Sequence, residues 1–168
     1  MAHPLVLALY PSPAAAAADA RTLHAAGVSR DRISVIARNH DEDMALAAQM
    51  DATPGVDIED SRAAARLGEL SGYVLAAIAL VLPGIGPIVA AGPLAAGLGE
   101  AAGHVAGGLA SALRGAGVVE ERATALQRAV EQGSVLLAVH TQPAEVASIR
   151  AALERSGATQ VETANWSQ

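Results

Sequence analysis

The apolar positions of this chain fall into two similar blocks near its ends and one long uncharged block between them. Near the start, Leu5-Val6-Leu7-Ala8-Leu9 is followed by Pro11 and Pro13, an Ala-rich stretch ending at Gly27, and the second apolar run Ile33-Ser34-Val35-Ile36-Ala37. Runs this short and continuous predict strands, and the segment between them predicts a helix. Ser12 is placed to cap that helix, Pro13 to occupy its first position and Gly27 to stop it. The same order returns near the end. Val135-Leu136-Leu137-Ala138-Val139 precedes Thr141 or Gln142, Pro143, a helical stretch stopped at Gly157, and the run Gln160–Ala164. An offset of 130 lays residues 5–29 over 135–159 without a gap, and matches Ala8, Pro13, Ala14, Ala17, Leu23 and Gly27 with their counterparts. Two βαβ halves related by a pseudo-twofold predict an α+β fold, a ferredoxin-like sandwich.

The block between the halves is read as an insertion. Residues 1–38 form the first half, 39–60 an acidic connection with a short helix around Met44–Met50, and 61–118 the hydrophobic insertion. Residues 119–168 form a connecting helix, Glu120 to Gln132, and the second half; all four parts make one composite domain. Between Ser71 and Gly99 no residue is charged. The pattern predicts a helix through Leu70–Leu82, a turn at Pro83, Gly84, Gly86 and Pro87, and a second helix from about Ile88 to Leu113, with a kink at Gly92-Pro93. The insertion is thus expected to be a long Gly/Ala-rich helical hairpin. Gly99, Gly103, Gly107, Ser111 and Gly115 stand four apart, the spacing of one ridge of a helix. Small residues along a ridge let backbones meet closely, so these five are the expected self-association surface.

An uncharged segment must bury itself in the protein's own core, in a second copy or in lipid. A simple membrane span is disfavoured because only thirteen residues, Leu70–Leu82, precede Pro83, and because Arg does not cluster on one flank. The expected partner is therefore another copy of the chain. A membrane surface, reached by the same hairpin, is the alternative. Leu5–Leu9 with the Ala run has the outline of a secretory leader. No Lys or Arg precedes Leu5, however, and two prolines follow at once, so it is read as a strand.

Composition narrows the function classes. Alanine supplies 41 of 168 residues, phenylalanine none, and all eleven cations are Arg. A net charge of −6 without a basic run excludes nucleic-acid binding through a basic face. The acids sit at the flanks: residues 1–60 carry nine acids against four Arg, whereas 61–118 carry two against three. Cysteine is absent, so there is no thiol nucleophile or disulfide frame, which fits a cytoplasmic protein. No cofactor is expected. Gly84-Ile85-Gly86 lacks the third glycine of a dinucleotide loop, and without Lys there is no phosphate loop. His40 beside Asp41, Glu42 and Asp43 is the best metal candidate, although a solvated acidic loop is the ordinary reading of such a run. His104, four residues after Glu100, is a candidate pH switch within the insertion. No catalytic constellation is legible, and an enzyme is the weakest class. A small-ligand or metal-binding sensor remains a second alternative to self-assembly.

The order of features resembles a bacterial general-stress and low-temperature-induced protein family. The residues that carry the resemblance are Ala20–Val28 leading into Ile33–Arg38, then Pro83-Gly84-Ile85-Gly86-Pro87 with Ala91-Gly92-Pro93-Leu94-Ala95. Gly115-Ala116-Gly117-Val118 before Glu120-Glu121, and Gly133–Val139, complete it. The resemblance implies a small cytosolic, stress-associated protein with a Gly-rich hydrophobic centre between two α/β ends. It implies no catalytic activity and supplies no site residues.

Overall fold

The computed structural model of the chain describes residues 3–38, 77–82, 86–94 and 108–166. The first half is β1 (His3–Tyr10), α1 (Pro13–Ala25), a single 3-10 turn (Arg30–Arg32) and β2 (Ile33–Arg38). Two further strands follow, β3 (Ala77–Leu82) and β4 (Gly86–Ala91), then two helices, α2 (Leu109–Gly115) and α3 (Glu120–Glu131). The second half is β5 (Val135–His140), α4 (Val146–Glu154) and β6 (Gln160–Trp166). The fold is α+β, and the described residues form a six-stranded sheet in the order β3-β4-β2-β5-β1-β6, antiparallel at every junction.

The two halves meet at the centre of the sheet. β1 runs antiparallel to β5, with Leu5 opposite His140 and Tyr10 opposite Val135, and β6 lies on its other side with His3 opposite Trp166. Both central strands are apolar at nearly every position because both faces are covered. One face carries α1 and α4: Ala16, Ala17, Ala20 and Leu23 of α1, with Ile149 and Leu153 of α4, pack on Val6, Ala8, Val35, Leu137 and Val139. The other face carries α2 and α3: Leu109, Leu113, Ala123, Leu126 and Val130 pack on Leu5, Leu7, Leu9, Ile36, Leu136 and Ala138. The alternation of strand side chains thus sorts residues into two separate cores.

Local chemistry sets the element ends where expected. The Ser12 side chain accepts from the Ala15 backbone N–H at 3.3 Å, Pro13 opens α1, and Gly27 follows its end with φ +93°. The second helix of the repeat departs from its template, because Pro143 sits in a turn and α4 begins only at Val146.

The insertion differs from expectation. Ala77–Leu82 and Gly86–Ala91 are strands of a β-hairpin, not the arms of a helical hairpin, with Leu82 opposite Gly86 and Ala77 opposite Ala91. β4 continues onto β2, with Ala37 opposite Val89, so the hairpin extends the sheet. The physical reason lies in Ile78, Val81, Ile88 and Val89: β-branched residues in short apolar runs punctuated by Pro and Gly suit extended backbone better than a helix. Nor does one helix run from Ile88 to Leu113. At Gly92 the chain turns with φ +85°, and a Cβ there would collide with the Ile33 carbonyl oxygen. The Leu94 N–H then donates to the buried Ser34 hydroxyl at 3.1 Å. Gly108 is extended (ψ −164°) and caps α2, so no helix carries the small-residue ladder through that position.

Candidate functional site

Two features stand out: one edge of the sheet, and a polar cluster at one of its corners. β3 is the terminal strand among the described residues, paired on one side with β4. Its sequence, Ala-Ile-Ala-Leu-Val-Leu, has no charged residue and no proline. Strand edges of this kind carry a row of backbone donors and acceptors that can pair with another strand, and charge or proline is the usual protection against it. The opposite edge differs. β6 carries the polar residues Gln160, Glu162, Thr163 and Asn165, and the α2–α3 connection packs onto its end, where a Cβ on Gly117 (φ +87°) would collide with the Asn165 carbonyl oxygen.

The corner cluster is built from four strands. His3 opens β1, His140 ends β5, Trp166 ends β6, and Arg32 stands immediately before β2. Antiparallel pairing brings these ends together. His3 Nε2 and His140 Nδ1 are 2.8 Å apart and share a hydrogen bond, so one of them carries the proton. The His140 ring stands edge-on to the Trp166 indole, with ring centres 4.9 Å apart. His140 is 8% exposed, and its Nε2 is buried without a hydrogen-bond partner among the described residues. Burial, then His3, then Arg32 press the His140 pKa down from 6.5 to about 4, because each disfavours a positive charge on the ring.

Arg32 bridges this corner to the next loop. Its Nε donates to the His140 carbonyl oxygen at 2.8 Å, and its Nη2 donates to Glu145 at 2.5 Å and to the Thr141 hydroxyl at 3.3 Å. Glu145 also accepts from Thr141 and from the Gln142 N–H. Those hydrogen bonds, led by Arg32, hold its carboxyl down at about 2. Glu145 therefore organises the turn that replaces the first turn of the expected helix.

At the other end of β1, the fully buried Tyr10 hydroxyl donates to Asp19 Oδ2 at 2.6 Å, and the Ser156 hydroxyl donates to the same oxygen. Burial first, then the Asp19 hydrogen bond and charge, push the Tyr10 pKa above its ordinary value. Asp19 lies in α1 and Ser156 just beyond α4, so the triad joins the two helices over one core.

The residues singled out from sequence are dispersed. Gly99, Gly103, Gly107, Glu100, His104, His40, Asp41, Asp43, Pro83 and Gly84 lie outside the described residues. Gly86 and Pro87 begin β4. Ser111 and Gly115 fall in α2, whose buried positions are Leu109 and Leu113. Gly115 is exposed, and a Cβ on it would meet nothing within 4 Å. Neither residue therefore marks a close helix contact within the protomer. His3, Arg32, His140, Trp166, Tyr10 and Asp19 carried no motif. The signal that could have found them is their position at the two ends of strands destined to pair antiparallel.

Among the described residues, no group of three or more His, Asp or Glu is placed to hold a metal ion, and no helix is long and apolar enough to cross a membrane. No protein-family model, curated protein or solved structure matches the chain.

Proposed function

We propose that this chain is a non-catalytic, self-associating protein on a ferredoxin-like scaffold, with a stress-associated role in the cytoplasm. The scaffold reading rests on the four strands of the two halves, in the order β6-β1-β5-β2, with the crossover helices α1 and α4 on one face. The stress association rests on the resemblance carried by the Pro-Gly-Ile-Gly-Pro to Gly-Pro stretch and its flanks.

The observation that carries self-association is the apolar edge strand β3. A second copy presents the same edge, and two such edges pair antiparallel across a twofold axis into one continuous sheet. The helical ladder is replaced in this role by the hairpin that precedes it. Light scattering in detergent-free buffer tests the reading: the wild type should be at least a dimer at micromolar concentration. Along β3 backbone N–H groups point alternately toward β4 and outward. Of the variants Ala79→Pro and Leu80→Pro, one therefore removes an outward donor and leaves the β3–β4 ladder intact. That variant should remain folded and shift to monomer. A monomeric wild type, or folded proline variants of unchanged size, would overturn the reading. Wild type that needs detergent and pellets with liposomes would replace it with membrane association.

A further inference from the structure

Three neighbouring strands, β5, β1 and β6, place His140, His3 and Trp166 on the face of the sheet that α2 and α3 cover, in line with Leu136, Ala138, Leu5 and Ala164. We propose that this corner is a proton-operated latch: mild acid separates His3 from His140 and frees Trp166 and the end of β6, while the rest of the sheet holds.

The geometry carries the argument. Two ring nitrogens 2.8 Å apart are held by one proton between them. With both rings protonated, two N–H groups would face each other at that distance and two positive charges would meet in a buried corner. The spacing is also too short for two ligands of one tetrahedral zinc ion, whose nitrogens at about 2.0–2.1 Å from the metal stand roughly 3.4 Å apart. The pair therefore holds a proton rather than a metal. The buried, unpartnered His140 Nε2 adds a second reason to open, since exposing it to water satisfies it.

The surrounding charges push the same way. Arg32 is the cation nearest the pair in the hydrogen-bond network, and Glu145 is turned toward Arg32 rather than the imidazoles. On the covering helices and β6, Arg114 pairs with Glu120 and Arg122 with Glu162. No carboxylate among these is hydrogen-bonded to either histidine to stabilise its charged form. The closed corner thus keeps His140 neutral down to about pH 4, and opening restores its ordinary affinity for a proton. Opening becomes progressively easier as pH falls below 6.5. β6 is the free end of this arrangement, an edge strand paired only with β1 among the described residues.

Trp166 is the chain's one tryptophan, so its emission reads this corner alone. In the full-length protein, a fluorescence titration from pH 7.5 to 4.5 should show one step while the far-UV circular dichroism stays constant. His140→Phe should abolish the step. A flat wild-type titration, a step that persists in folded His140→Phe, or a step coincident with loss of circular dichroism would each overturn the proposal. Should His140→Phe not fold, amide hydrogen exchange of the wild type decides. After correction for intrinsic pH dependence, protection of residues 162–166 should fall by about tenfold between pH 7 and 5 while that of 135–139 persists. Equal behaviour of the two strands would overturn the latch.

Discussion

The Tyr10 hydroxyl donates to Asp19 across 2.6 Å, which ties the end of β1 to the middle of α1 inside the core that α4 completes. A hydrogen bond to a buried carboxylate typically contributes more than one between neutral groups. Tyr10→Phe removes the donor and leaves Ser156 as the remaining partner of Asp19. We expect a loss of about 1.5–3 kcal/mol in urea unfolding. Asp19→Ala should cost at least as much, since it leaves the Tyr10 hydroxyl buried and unpaired. Equal stability of wild type and Tyr10→Phe would show the contact to be of no consequence.

Acid should weaken the fold in two stages. The pKa of His140 is lower in the folded chain (about 4) than in the unfolded one (6.5), so the unfolded state binds more protons between these values. Stability contributed by neutral His140 is complete above pH 6.5 and is lost as pH falls toward 4, by on the order of 2 kcal/mol. His140→Phe should flatten this limb of a stability–pH curve measured with urea at successive pH values. Glu145 follows the same sign further down: its depressed carboxyl contributes stability that is lost between about 4.5 and 2.

Three left-handed glycines should respond differently to alanine. Gly92 and Gly117 combine positive φ with backbone carbonyl oxygens where a Cβ would stand, those of Ile33 and Asn165 respectively. Alanine at either should cost about 3 kcal/mol or more, or prevent folding. Gly27 has φ +93° but open space, so alanine there carries only the backbone strain, roughly 1–2 kcal/mol. Thermal melts of the three variants should rank in that order.

The helix caps give a smaller, separable effect. Ser12→Ala removes the acceptor for the Ala15 N–H and should lower stability by about 1 kcal/mol. Ser12→Gly should recover most of the loss, because glycine leaves the cap open to water. Guanidinium unfolding of the pair would separate cap chemistry from packing.

The parts legible in the sequence were those with punctuation. Ser12, Pro13 and Gly27 bracket α1 as read, and the apolar runs near the two ends are strands as expected, β1 and β2 in the first half and β5 and β6 in the second. The hairpin failed for a definable reason. Alanine favours helices in isolation, yet Ala77 and Ala79 alternate with Ile78 and Leu80, and Ala90 and Ala91 follow Ile88 and Val89, so the β-branched neighbours and the strand pairing prevailed over propensity. The runs before Pro83 and after Ile85 read as helices and are strands, and Gly86 and Pro87, expected in the turn, pair with Leu82 and Val81. The corner cluster was invisible for another reason. His3 and His140 are 137 residues apart and meet only through antiparallel register, which no local pattern encodes.

The central strand β1 finds its sheet partners in residues 135–166 alone. A chain emerging from the ribosome must therefore carry its first strand, apolar and unpaired, through the synthesis of more than a hundred residues before any ladder for it exists. Contacts of such long sequence separation slow folding and lengthen the time an exposed strand can pair wrongly. The architecture thus ties the first ladder of β1 to the synthesis of β5 and β6, so the ordering of one half waits on the other.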